Sequence, residues 1–150
     1  MKTLFEDIFQ YHLQFNEMIG QQLKDNNLLQ GQEMQLYCHL LNAHQIWNAR
    51  ILHQAATPLH QLLDIDACFA LNEQNHRETQ EILAQRNLEQ TIIYENSTGD
   101  LFHHSLREIL FHISNHHTHH RGQIAFMLRQ QNVQPLPTDY IFYKRAQQSA

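Results

Sequence analysis

Four stretches of this chain repeat their apolar residues at helical intervals, and each is too long to be a strand. In the first, residues 2–24, Leu4, Ile8, Leu13, Phe15, Met18, Ile19 and Leu23 recur with a period near that of an α-helix. The second runs from Gln32 to Gln54, with Leu36, Leu40, Ala43, Trp47 and Ile51 near one face, and Ala56-Thr57-Pro58 closes it. A third covers Ala67 to Gln85. The last covers Ser105 to Gln131, where Leu106, Ile109, Leu110, Ile113, Ile124, Met127 and Leu128 form the stripe. A single amphipathic helix of such length is unstable alone in water, so the four must bury their stripes against one another. The pattern predicts an all-α fold, a helical bundle in one domain spanning residues 1–150.

Between the third and fourth helices the texture changes. Thr91-Ile92-Ile93-Tyr94 is β-branched and aromatic, Asn96-Ser97-Thr98-Gly99-Asp100 is turn chemistry, and Leu101-Phe102 follows. This predicts a short hairpin or an extended loop before the last helix. After that helix, Pro135 and Pro137 predict an extended tail, with Ile141, Phe142 and Tyr143 docking on the body. Cys38 and Cys68 are isolated and read as small buried hydrophobes. The start of the chain is broken by Glu6 and Asp7, and no apolar run reaches about 18 residues, so the expectation is a cytoplasmic protein without a membrane partner. A net charge of −5 opposes a broad electrostatic grip on nucleic acid.

Histidine is the compositional outlier: 13 residues, against 10 Lys plus Arg, and seven of them lie between His103 and His120. At about 100° per residue, His116 and His120 fall in a gap of the last helix's apolar stripe and His117 lies near its centre. A buried imidazole with an unmet nitrogen costs roughly 1–3 kcal/mol, and two stacked a turn apart are hard to satisfy with protein groups alone. A divalent metal resolves this, because side chains at i and i+4 share a helix face. His116/His120 and His112/His116 both have that spacing, and periodicity does not choose between them. A further ligand must come from another helix, where His39 and His44 are both able to turn inward. His103, His104 and His119 read as solvated.

The stretch from His39 through Trp47 to Arg50, then Asn115-His116-His117-Thr118-His119-His120-Arg121-Gly122-Gln123, then Pro137-Thr138-Asp139-Tyr140, resembles the DinB/YfiT-like family of metal-dependent helical proteins, in an order that runs nearly the full chain. The resemblance implies an up-down-down-up four-helix bundle, often a homodimer, with three histidines on a divalent metal, Zn or Ni. Matching of motifs puts those ligands at His39, His116 and His120, with His44 in reserve, and His117 and His112 behind it. Members with assigned activities include transferases and isomerases that use a low-molecular-weight thiol. The implied function is therefore a three-histidine open site serving a metal-dependent thiol transferase or a hydrolase on a small-molecule substrate; the alternative is a non-catalytic metal or small-ligand binding protein related to stress. No carboxylate stands in an HExxH context, so a peptidase is disfavoured. Around the site, Trp47 is a wall or core residue, Arg50 an anion binder or the partner of a carboxylate, and Tyr140 or Tyr143 a proton donor at the rim. Arg121 is expected to tie the tail through Asp139, and Gly122, costly in a helix by about 1 kcal/mol, to mark close backbone packing.

Overall fold

The computed structural model describes residues 1–148 and is mostly helical, with five helices and one two-stranded sheet. Helix α1 spans Lys2–Asp25 and stops where Asn27 turns left-handed at φ 55°. Helix α2, Gln32–Leu52, ends two residues before its predicted limit because His53 takes the left-handed conformation, φ 56° and ψ 44°. Helix α3, Ile65–Gln85, begins two residues early: the Asp64 side chain accepts the Ala67 N–H at 2.8 Å and so caps the first turn. Strands β1 (Thr91–Glu95) and β2 (Leu101–Ser105) form an antiparallel hairpin with Ile93 opposite His103. Its turn is held by Asn96 Oδ1, which accepts the N–H groups of Thr98 and Asp100, while Gly99 supplies φ 86°. Helix α4, Leu106–Gln130, starts on a capping box in which Ser105 and Glu108 satisfy each other's backbone N–H.

The tail departs from expectation. Its prolines hold an extended link, but Tyr140–Gln148 then forms a helix, α5. A helix this short offers few inward positions. Tyr143 fills one against Tyr11 and Phe15, whereas Ile141 and Phe142 do not dock and stay 51% and 39% exposed.

Helix α1 packs chiefly on α3, and α2 on both α4 and α3. Lys24 meets Asp66 and Asn16 meets Asn72 across α1 and α3. Between α2 and α3, Leu41 contacts Asn75 and Asn48 contacts Thr79. Between α2 and α4, Trp47 faces His112 and His39 faces His120. Between α1 and α4, His12 meets Ser114 and Asn16 meets His117. None of the described helices is long and apolar enough to cross a membrane.

The core is split by a polar layer. One apolar cluster gathers Phe5, Phe9, Ile51, Ile82, Leu106 and Leu110; the other gathers Ile19, Leu23, Leu40, Leu41, Ile124 and Leu128. Between them every long helix contributes buried polar side chains: His12 and Asn16, His44 and Asn48, Asn72, Asn75 and Thr79, and His117 with Arg121. Donor and acceptor roles follow from Arg121, which can only donate. It donates to His12 Nδ1 at 2.7 Å and to Asn16 Oδ1, so His12 donates from Nε2 to Ser114. The Asn16 amide donates to His117 Nδ1; His117 Nε2 then donates to His44 Nδ1 at 3.0 Å, His44 Nε2 to Thr79 Oγ1 at 2.8 Å, and Thr79 to Asn48 Oδ1. Every ring in this chain must be neutral, since a proton on either nitrogen pair would set two donors face to face.

Candidate metal centre

His116 and His120 lie one turn apart on α4, and α2 passes beside them carrying His39. All three are half-buried, and one ring nitrogen from each lies within 4.8 Å of the other two. Ring centroids are 4.2 Å apart for His116 and His120, 4.8 Å for His39 and His120, and 5.3 Å for His39 and His116. Among the described residues this group could hold a metal ion.

The donor set fits a cation. His39 Nδ1 is buried without a hydrogen-bond partner. His120 Nδ1 lies 2.6 Å from Gln123 Oε1, an atom that can only accept, so the His120 proton resides on Nδ1 and its Nε2 carries the lone pair, turned toward His116 Nε2 at 3.0 Å. Burial, followed by the neighbouring His120, His39, His112 and His119, pulls the His116 pKa down to about 3. Burial first, then His120 and His60, lowers His39; burial first lowers His120, against the opposing bond from Gln123. The three rings are therefore neutral near pH 7, the form that ligates.

Beside them opens a cavity of about 770 Å³, with His39, His60, His120, Gln35, Gln123 and Phe126 among its walls. His60 comes from the α2–α3 link and stacks on His39 at 5.4 Å and 15°. Neither His60 nor Gln123 was singled out by the sequence pattern for a site role. A residue on an irregular link carries no periodic signal, and a glutamine three positions after a histidine is ordinary on a helix.

The reserve histidines stand elsewhere. His44 and His117 face inward, but their nitrogens are taken by each other, by Thr79 and by Asn16, so they belong to the polar layer and not to the three-histidine group. His112 is exposed, with its ring 5.8 Å from that of His116 and 5.1 Å from Trp47, and is outside the group. Of the solvated histidines, His104 instead meets the Tyr94 hydroxyl at 3.1 Å.

Several expectations around the site are corrected. Tyr140 is remote from the cavity: α5 packs on α1, and its hydroxyl donates to Asp7. Tyr143 is buried in the same aromatic cluster. Trp47 packs half-buried against the core, as one of its two readings has it, and lines a separate cleft; Arg50 pairs with no carboxylate among the described residues, and its guanidinium lies 4.5 Å over the Trp47 ring and 5.0 Å over Tyr94. Arg121 does not reach Asp139. It is 1% exposed and donates to the Tyr11 hydroxyl, which in turn donates to the Thr138 carbonyl, so the tie to the tail runs through Tyr11. Gly122 marks no close packing, because a Cβ there would meet nothing within 4 Å. Cys38 and Cys68 are buried as expected, with sulfurs 3.7 Å apart.

A mostly helical chain with three neutral imidazoles gathered from two helices beside an open cavity defines a class of helical proteins able to bind a metal. Within that class the family is specific. Residues 13–150 match the model of the DinB family, and the chain belongs to it. It is also 36% identical over 59 residues to Protein DinB of Bacillus subtilis (strain 168), a stretch covering 39% of this chain and 34% of that relative. The matching segment thus spans about a third of the length of the curated relative.

Proposed function

We propose that this protein binds one divalent metal through His39, His116 and His120 and uses it to transfer a low-molecular-weight thiol to a small electrophile. The observation that carries the reading is the convergence of three neutral ring nitrogens within 4.8 Å, at the edge of a cavity of about 770 Å³. Zinc or nickel suits an all-imidazole donor set. A divalent cation there would lower the pKa of a thiol or a water that reached it.

The chain's own residues do the rest. Gln123 holds His120 with its Nε2 lone pair turned toward the three-histidine group, and His39 and His120 present the metal side of the cavity. Leu36, Phe126 and Met127 give the cavity an apolar wall that suits the body of an electrophile, and Gln32 and Gln35 offer amides to its polar groups. No Asp, Glu or Lys lines this cavity among the described residues. A thiol, with a free pKa near 8.5, ionises without a strong base, whereas water does not. Thiol transfer therefore ranks ahead of hydrolysis. The same lack of a charged side chain favours, as the second reading, a non-catalytic metal or small-ligand binder.

The proposal extends to the fold and the setting. An up-down-down-up order is supported by contacts whose residue numbers rise together between α2 and α3 and between α1 and α4, and run oppositely between α1 and α3 and between α2 and α4. The protein is taken as a cytoplasmic homodimer with neither a nucleic-acid nor a membrane partner, and its net charge of −5 supports the exclusion of nucleic acid.

Elemental analysis of purified protein tests the root. Wild type should carry about one divalent ion per chain, and His39→Ala and His120→Ala should lose it. Equal, trivial metal in all three refutes the reading. With metal bound, thiol-dependent consumption of an electrophile that vanishes in His120→Ala supports the transferase, and a blank across thiols, esters and amides leaves the binder.

A further inference from the structure

Arg50 lies in the last turn of α2, half-buried, and among the described residues no hydrogen bond or ion pair engages it. Its guanidinium carbon lies 4.5 Å over Trp47 and 5.0 Å over Tyr94, and those two rings meet edge to face with centroids 4.8 Å apart. Aromatic faces satisfy a guanidinium through its charge, but they accept none of its five N–H donors in the plane of the group.

The same two rings form one wall of a cleft of about 210 Å³, closed by His104, Glu108, Ile109 and His112. From these observations we propose that the cleft, together with Arg50 packed over its Trp47 and Tyr94 wall, is a binding site for a small aromatic monocarboxylate. The guanidinium supplies a bidentate, charge-assisted pair for the carboxylate. Trp47, Tyr94 and Ile109 supply apolar walls for a flat ring, and the volume admits a body of about one ring. His104 is steadied by the Tyr94 hydroxyl at 3.1 Å, and His112 stands edge-on to Trp47 at 5.1 Å.

Glu108 limits the choice of ligand. Its Oε2 takes the N–H and hydroxyl of Ser105, at 2.8 and 2.7 Å, so this negative charge is fixed in the cleft wall by the start of α4. A second carboxylate on the ligand would be set against it. One anionic end, at Arg50, is the arrangement that the charges accept.

The site stands apart from the three-histidine group, with the His112 ring between Trp47 and His116. It does not rest on the metal reading, and its test separates the two. The chain has a single tryptophan, Trp47, so intrinsic emission reports the cleft directly. Metal-free protein, dialysed against a chelator, is titrated with benzoate and with the neutral isostere benzamide. A saturable change in Trp47 emission is expected with benzoate, at least about tenfold weaker with benzamide and in Arg50→Gln, and unchanged in His116→Ala. Equal binding of benzoate and benzamide, full binding by folded Arg50→Gln, or no saturable response at millimolar benzoate overturns the proposal. If circular dichroism shows Arg50→Gln unfolded, the two ligands compared on wild type still decide.

Discussion

Acid should unfold the metal-free protein well before its carboxylates are protonated, because the polar layer holds its imidazoles neutral. Burial, reinforced by Arg121 and His44, keeps the His12 pKa well below the ordinary value of 6.5, and burial with the surrounding histidines and Arg121 does the same to His117. Burial pulls His44 down to about 3. A histidine with a depressed folded pKa takes up its proton on unfolding. Its share of stability is complete above about pH 6.5 and is lost as pH falls toward the folded value. Between pH 7 and pH 5 each such ring favours the unfolded chain by about 2 kcal/mol, or about 6 kcal/mol for the three. A domain of this size is stable by about 5–15 kcal/mol, so the loss is a large part of the whole. Guanidinium chloride unfolding of chelator-treated protein at several pH values measures it. His44→Gln should make the fall between pH 7 and pH 5 smaller by about 2 kcal/mol. A fall below about 2 kcal/mol over this range, or a slope that His44→Gln leaves unchanged, would refute the assignment of these rings as buried, neutral and hydrogen-bonded.

Two substitutions probe neighbouring claims. Tyr11→Phe removes the hydroxyl that accepts from Arg121 and donates to the Thr138 carbonyl; leaving both unpaired should cost about 2–3 kcal/mol in urea unfolding, and a loss under about 0.5 kcal/mol would show that the tail is not tied there. Gly122→Ala should stabilise by up to about 1 kcal/mol, since a helical glycine is replaced where a Cβ meets nothing within 4 Å; destabilisation would show a close approach at this surface.

The four long helices are legible because each carries a continuous apolar stripe, and their ends shift only where single residues act, as with the left-handed His53 and the capping Asp64. Helix α5 escapes the pattern because Tyr143 is its one buried residue and leaves no stripe to recognise. The His116/His120 spacing is visible on one helix, but the partner on α2 is not. An inward imidazole looks the same in sequence whether it joins a group that could hold a metal ion, like His39, or donates to a threonine, like His44. The polar layer is harder still. His12, Asn16, Asn48, Asn75 and Thr79 each interrupt one helix's stripe and resemble surface positions until four helices align them at one level. Pairing across helices, rather than periodicity along them, carries that information.

That layer also fixes where the three-histidine group can form. His117 is next in sequence to His116, and its Nε2 reaches His44 Nδ1 on α2 at 3.0 Å. Sliding α2 by one residue along α4 would move it about 1.5 Å and turn its side chains by about 100°. The His44–His117 bond would break, leaving buried nitrogens unpaired at roughly 1–3 kcal/mol each. His39, one face further along α2, would turn away from His120 in the same movement. Hydrophobic contacts are non-directional and re-form after small shifts, whereas a chain of single donors and single acceptors has one register that satisfies it. His44 and His117 face inward for this reason. They set the position of a site to which they contribute no nitrogen.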